Sequence, residues 1–255
     1  MPAEESPTDL HPLVGGFVDA SGYDRARPRY DARVAAELVG QLSLAPGAPV
    51  LELGAGTGQL SEALLEAGLE LTAVEPLAPT RELLAAAIGP ERVRAGRAEE
   101  IPLPDGSVRA VFAADAFHWF DERRAMPEIK RVLQPGGGVA ILRTAPVIDE
   151  PWSRELGEVI TRMRPEHPAF NNRGAAAALE EDPAFGEVRE TIVTSTRELD
   201  RDALVALVAT FSWVATLPAQ ERERLLAGVG EVLDAHGVEL ETYDVRHQIW
   251  LARLI

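Results

Sequence analysis

The chain has 255 residues, 46% of them hydrophobic, so it can form one large domain or a domain with a lid. Its 25 Lys and Arg against 41 Asp and Glu give a formal net charge of −16, which disfavours a nucleic-acid partner because phosphate backbones are also negative. Cysteine is absent, which excludes disulfides, thiolate metal sites and a cysteine nucleophile.

The chain contains no stretch of about 18 uncharged apolar residues, the length that crosses a bilayer as a helix. The acidic segment that follows Met1 leads into no apolar region of the kind found in secretory signals. We therefore expect a cytoplasmic protein without a membrane or nucleic-acid partner, either monomeric or homodimeric. The histidines lack ligand spacing with acidic residues, so no metal site is predicted.

In chain order, an N-terminal arm at 1–30 precedes a helix predicted at 31–42, in which Val34, Leu38 and Leu42 fall on one face. Strands are then predicted at 49–53, 70–75, 92–95, 108–114 and 138–144. Helices are predicted at 58–67, 79–88 and 121–133. Such alternation is typical of a parallel sheet covered by helices on both faces.

The second half of the chain is richer in helical patterns. Helices are predicted at 152–163, 200–209 and 218–236, and strands at 188–196 and 243–251. We expect the segments 146–183 and 197–240 to form a helical lid over the carboxyl ends of the strands. The predicted organisation is an arm at 1–30, a ligand-binding core at 31–145, and a remainder at 146–255 that completes the sheet and carries the lid.

A glycine-rich segment follows the first predicted strand and contains Glu52, Gly54, Gly56 and Gly58. Glycines let the backbone turn sharply and approach a ligand closely. Glu75 lies 17 residues after Gly58, at the tip of the second strand, where a carboxylate can accept hydrogen bonds from both ribose hydroxyls. Glu52 would repel a pyrophosphate but suits a cationic ligand with an amino group. The pattern therefore predicts a nucleoside site at the carboxyl ends of parallel strands.

Further motifs accompany the glycine-rich segment and Glu75-Pro76. They are Tyr23-Asp24-x-x-Arg27-Pro28, the segment from Arg97 to Asp105, and the segment from Ala116 to Phe120. With these motifs the chain resembles the class I S-adenosylmethionine-dependent methyltransferases of the type 11 methyltransferase-domain branch, over residues 23 to about 144. The last hundred residues, where substrate choice would lie, match no family with comparable specificity.

The resemblance implies an α/β fold with a mostly parallel, seven-stranded Rossmann-like sheet, its last strand antiparallel, helices on both faces and a helical lid. It also implies S-adenosylmethionine as cofactor and methyl transfer to a small-molecule acceptor, as in secondary metabolism. Oxygen, nitrogen and carbon acceptors all remain open.

Residue roles follow from the same resemblance. Glu52 and the backbone of 54–58 would hold the methionine part of the cofactor, and Glu75 the ribose. The Ala98 amide and the Glu99 carboxylate would meet the adenine, although relatives often carry Asp at the position of Arg97. The residues expected to contact the cofactor are Tyr23, Arg27, Glu52, Gly54, Ala55, Gly56, Gly58, Glu75, Pro76, Ala98, Glu99, Ala114 and Phe117.

His118 is the catalytic candidate, because it is the only histidine in the recognisable core. An unperturbed pKa of about 6.5 would let it deprotonate a hydroxyl or amine at neutral pH. Its neighbours Phe117, Trp119 and Phe120 offer apolar walls that exclude water. A second interpretation is that His118 only orients this loop or packs against the following helix.

Other functions compete with methyl transfer. A nicotinamide-dependent oxidoreductase is opposed by the glycine spacing and by Glu52, and a nucleic-acid methyltransferase by the negative charge. A protein of this fold that uses the cofactor structurally, or for another reaction, stays open, because cofactor binding and chemistry are separable.

Overall fold

The computed structural model describes residues 19–162 and 174–255. The strands are β1 (Pro49–Leu53), β2 (Glu70–Val74), β3 (Val93–Arg94), β4 (Val108–Ala114), β5 (Leu133–Pro146), β6 (Arg189–Asp200) and β7 (Leu240–Arg253). The helices are α1 (Ala20–Ala26), α2 (Ala32–Gln41), α3 (Ser61–Glu66), α4 (Ala78–Ile88), α5 (Glu122–Val132), α6 (Pro151–Arg162), α7 (Ala175–Glu180), α8 (Arg201–Ala209), α9 (Ser212–Ala215) and α10 (Ala219–Ala235).

The seven strands form one sheet in the order β3-β2-β1-β4-β5-β7-β6. Strands β1 to β5 pair in parallel, and β7 runs antiparallel to both of its neighbours, β5 and β6. The predicted mostly parallel sheet with an antiparallel last strand is therefore confirmed. The carboxyl ends of β1, β2, β4 and β5 meet at one edge, where ligand sites of such sheets form.

The sheet is buried between two hydrophobic clusters, as the alternation of strands and helices predicted. On one face, Val34 and Leu38 of α2 pack with Val50. On the other face, Ile129 of α5 packs with Leu51. Successive strand residues point to opposite faces, so neighbouring positions of β1 supply both clusters.

Several helices begin at an aspartate whose carboxylate accepts a hydrogen bond from a backbone N–H of the first turn, which stabilises the helix start. Asp31 does so for α2, Asp121 for α5 and Asp200 for α8. The helix predicted at 200–209 is observed as α8, with Asp200 as its cap. Residues 1–18 of the arm predicted at 1–30 lie outside the described residues, and Ala20–Ala26 forms a helix that the sequence pattern did not predict.

A third hydrophobic cluster joins the helices of the segments predicted to be a lid. Trp152 of α6, Leu204 of α8, Trp213 of α9 and Val229 of α10 are buried in it. This helical layer therefore has a core of its own. No helix within 19–162 or 174–255 is long and apolar enough to cross a membrane.

Candidate active site

A cavity opens at the carboxyl edge of the sheet. Its walls come from the segment before α2, the glycine-rich loop after β1, the tip of β2, the loops after β3 and β4, and the side chains of β5, β6 and β7. Residues more than 200 positions apart in the chain, such as Tyr23 and His247, face the same space. Most of the predicted cofactor-contacting residues line it: Tyr23, Arg27, Glu52, Gly54, Ala55, Gly56, Glu75, Pro76, Ala98, Glu99 and Ala114.

Gly54 shows why the loop after β1 needs glycine. Its φ of +65° lies in the left-handed region that side chains disfavour. A Cβ at this position would lie 2.7 Å from the Cβ of Ala116, so a larger residue would push the loop after β4 away. Because Gly54 has no side chain, the loop after β1 can approach the loop after β4 and a ligand that lies between them.

Glu75 joins the tip of β2 to the glycine-rich loop. Its carboxylate accepts hydrogen bonds from the Gly56 N–H (2.9 Å), the Leu77 N–H (3.0 Å) and the Thr80 hydroxyl (3.0 Å). Burial raises the pKa of Glu75, and these donors together with Arg81 oppose the rise. A carboxylate has about four acceptor positions, so one remains for a ligand hydroxyl. Glu75 therefore shapes the loop as well as offering an acceptor.

Glu52 is buried in the cavity wall, and the Ser61 hydroxyl donates to its carboxylate at 2.5 Å. Burial raises the pKa of Glu52 to about 8; Ser61 opposes this rise and the charge of Glu75 adds to it. Glu52 is therefore mostly protonated at neutral pH in the ligand-free protein. A cationic group bound beside it would favour the ionised carboxylate and would release a proton.

The predicted adenine contact at Glu99 has competing partners. One oxygen of its carboxylate accepts from the Asp121 N–H at 2.8 Å, at the start of α5. The other lies 3.4 Å from Nε of Arg97, so the two side chains form an ion pair. The departure from the family pattern at Arg97 thus neutralises part of the charge of Glu99.

Gly58, Phe117 and His118 do not line the cavity. Phe117 is buried in the core behind it, with its ring 5.7 Å from that of Phe120. His118 is half-buried, and its ring lies 4.8 Å from that of Trp119. Trp119 and Phe120 do line the cavity and form the expected apolar wall. The assignment of His118 as the base stays a prediction that this geometry does not favour.

A polar network that the sequence analysis missed lies at the other end of the cavity. The Tyr30 hydroxyl donates to Asp115 at 2.9 Å and lies 2.9 Å from the Thr144 hydroxyl. Thr144 in turn lies 3.1 Å from Nδ1 of His247. Nε2 of His247 lies 2.9 Å from the Ser195 hydroxyl, which donates to Asp31 at 2.5 Å. The backbone at Asp115 is held at φ +49°, and its carboxylate also accepts the Thr144 N–H at 2.8 Å.

The side chains of this network have fewer hydrogen-bond protons than they have contacts with one another. Five side-chain contacts link Asp115 to Asp31, whereas three hydroxyls and a neutral imidazole supply four protons. Burial lowers the pKa of His247, and the charge of Arg197 lowers it further, which favours the neutral ring. One of the five contacts therefore has no proton to share, and the neutral His247 ring has one nitrogen that can accept a proton.

The fold and the cavity together define a class. A mostly parallel sheet with a glycine-rich loop after β1 and an acid at the tip of β2 is that of an enzyme with a nucleoside-type cofactor. A methyltransferase-domain family model matches residues 51–141.

An uncharacterized methyltransferase of Mycobacterium tuberculosis is 40% identical over 228 residues, which cover 89% of this chain and 88% of that protein. A methyltransferase-like protein of Schizosaccharomyces pombe is 31% identical over 215 residues, or 84% of each chain. A solved structure described as a type II methyltransferase, from Anaeromyxobacter dehalogenans, has a TM-score of 0.66 at 25% identity and covers 89% of this chain and 97% of its own. The chain therefore belongs to the class I S-adenosylmethionine-dependent methyltransferases, and it is a methyltransferase.

Proposed function

We propose that the protein binds S-adenosylmethionine at the glycine-rich end of the cavity and transfers its methyl group to a small-molecule acceptor at the other end. The observation that carries this proposal is the bond between Glu75 and the Gly56 N–H, because it couples the acid of β2 to the loop of β1. Family membership supports the choice of cofactor.

The residues present fit this cofactor. Gly54 leaves space that a Cβ would fill, next to Ala116. Glu52 offers a buried carboxyl for a cationic amino group, and Glu75 retains an acceptor position for a ribose hydroxyl. Arg27 lies between the rings of Tyr23 and Phe211, each 5.2 Å away, and can hold a carboxylate with its remaining N–H groups.

The cofactor supplies a methyl group that is already activated by the positive sulfonium. The protein's part is therefore to align the acceptor and to exclude water, which can supply much of the acceleration. Trp119 and Phe120 form the dry wall on one side. When the acceptor must lose a proton, Asp115 and the network behind it can receive it.

Isothermal titration calorimetry with S-adenosylhomocysteine and with NAD tests the cofactor assignment. We expect micromolar binding of S-adenosylhomocysteine and a rise in melting temperature, because ligands that bind only the folded state stabilise it. NAD should do neither. Tight NAD binding without binding of S-adenosylhomocysteine would overturn the proposal.

A further inference from the structure

Arg197 of β6 lines the cavity, and one of its N–H donors has no partner among the described residues. Its Nη2 donates to the backbone carbonyl of Arg29, whereas its Nε is buried and has no hydrogen-bond partner among residues 19–162 and 174–255. A buried donor without an acceptor is costly, more so on a charged group. A ligand that binds the Arg197 guanidinium from the cavity would offset this cost.

Arg27 is the second cation of this region, and its Nε donates to the Thr210 hydroxyl at 2.9 Å. Neither Arg27 nor Arg197 forms an ion pair with a carboxylate in the described part of the chain. Burial raises the pKa of Tyr243, and Arg197 and Arg27 both oppose that rise, so both positive charges lie near the same hydroxyl. Glu52, Glu75, Glu99 and Asp115 also line this cavity, but Arg27 and Arg197 are cations that none of these carboxylates pairs with, so both stay available to an anionic group of a ligand.

The position of Arg197 in the sheet separates it from the cofactor residues. Glu75 follows β2, near one edge of the sheet, whereas Arg197 lies on β6, the strand at the opposite edge. Arg197 pairs in register with Tyr243 of β7, and two later residues of β7, Val245 and His247, line the cavity. Arg197 therefore faces the end of the cavity assigned above to the acceptor.

We propose that Arg197 binds an anionic group of the methyl acceptor, a carboxylate or a phosphate. This proposal rests on the proposed function, since it assigns part of the same cavity. The guanidinium group presents N–H donors in a planar fork that matches both anions, and an anion at Nε would satisfy the buried donor. The acceptor would then be a small organic acid or phosphate ester, with its apolar part against Trp119 and Phe120.

Probe binding tests the assignment without knowledge of the natural acceptor. The protein is saturated with S-adenosylhomocysteine, and its melting temperature is measured with millimolar benzoate, phenyl phosphate or benzamide. We expect at least one of the two anions to bind and to stabilise the protein, while neutral benzamide does not. The comparison of benzoate with phenyl phosphate identifies the preferred anion.

Variants locate the binding. Arg197→Gln should weaken anion binding by at least about tenfold, the effect of losing charge-assisted hydrogen bonds. Arg197→Lys keeps the charge but loses the planar fork. Its affinity for the anions should lie between those of wild type and Arg197→Gln. Arg246→Gln is the matched control, because Arg246 is exposed on β7 and lies outside the cavity. Binding of S-adenosylhomocysteine within a few-fold of wild type would show that each variant is folded.

Equal binding of benzamide and benzoate, unchanged anion binding in Arg197→Gln, or no binding of either anion would overturn the proposal. If Arg197→Gln does not fold, the wild-type comparison of benzoate with benzamide and the Arg197→Lys variant decide. Failure of S-adenosylhomocysteine to bind wild-type protein would instead contradict the proposed function. The anion probes can then be measured on the ligand-free protein.

Discussion

The Tyr30 hydroxyl donates a hydrogen bond of 2.9 Å to Asp115, 85 positions away in the chain. The bond fixes the segment before α2 against the loop after β4, and so closes the cavity on one side. Asp115 has a positive φ of 49°, which is uncommon for a residue with a side chain. The bonds from Tyr30 and from the Thr144 N–H hold it in this conformation.

Replacement of Tyr30 by Phe removes the hydroxyl group, so one carboxylate oxygen of Asp115 loses its hydrogen-bond donor. We expect Tyr30→Phe to lower the free energy of unfolding by about 1–2 kcal/mol, because a partly buried acceptor loses its partner. Urea denaturation measures this. Tyr243→Phe is the control, since the Tyr243 hydroxyl donates to no residue in the described segments, and equal losses in the two variants would contradict the expectation.

Glu52 predicts a dependence of stability on pH. Folding raises its pKa from 4.5 to about 8, so the folded form holds the proton more tightly than the unfolded chain does. Its contribution to stability is complete below about pH 4.5 and is lost as the pH rises through about 8. Glu52→Gln cannot titrate, so the melting temperature of the ligand-free variant should fall less than that of wild type between pH 6 and about 9.

The same Glu52→Gln variant should bind S-adenosylhomocysteine roughly tenfold more weakly, because an amide cannot form a charged pair with an amino group. Glu66→Gln, at an exposed position, serves as the control for both measurements. Parallel pH curves for Glu52→Gln and wild type would show that Glu52 does not carry the expected proton.

Glu75→Ala should lower the affinity for S-adenosylhomocysteine by about tenfold to a hundredfold, because it removes a charged acceptor. The variant also leaves the Gly56 N–H without its partner, so part of the loss comes from a looser glycine-rich loop. Glu75→Gln retains a carbonyl oxygen for that N–H and should lose less affinity than Glu75→Ala, but its NH2 group then faces the Leu77 N–H, so it should not reach the wild-type affinity. Isothermal titration calorimetry measures these affinities, with Glu82→Ala, at an exposed position, as the control. An unchanged affinity in Glu75→Ala would mean that the Glu75 carboxylate does not contact the ribose.

The two histidine candidates can be separated by substitution. If a base is needed, His247→Gln should lower kcat by about two orders of magnitude and remove the limb of the pH profile that reports the base. His118→Gln should stay near wild type, because His118 lies outside the cavity wall. The assay follows formation of S-adenosylhomocysteine with an acceptor found by screening organic acids and phosphate esters. The opposite pattern would restore His118 as the base.

The predicted lid, residues 146–183 and 197–240, should be the more mobile part of the protein. Lids open and close over reacting groups and belong to the less stable parts of a fold. Hydrogen exchange should be faster there than in 49–144, and it should slow when S-adenosylhomocysteine and an acceptor are both bound. Uniform exchange that ligands do not change would count against a lid.

The glycine-rich end of the cavity, where we propose that the cofactor binds, could be predicted from local patterns. A strand that ends in an acidic residue or in glycines can be recognised from a few consecutive residues, as at Glu52 to Gly58 and at Glu75. The alternation of helices and strands then predicted the sheet, because parallel strands need crossover helices. The helix at Ala20–Ala26 was missed, because it is short and its start depends on a single cap at Asp19.

The opposite end of the cavity, proposed above for the acceptor, depends on the tertiary structure. Tyr30, Thr144, Arg197 and His247 share no motif, and in the sequence Arg197 resembles the exposed Arg246 of the neighbouring strand. They meet because β7 runs back antiparallel between β5 and β6, which brings residues from both ends of the chain beside the tip of β4. The raised pKa of Glu52 has the same origin. A sequence shows that a carboxyl is present, but burial and neighbouring charges, which depend on packing, determine whether it carries a proton.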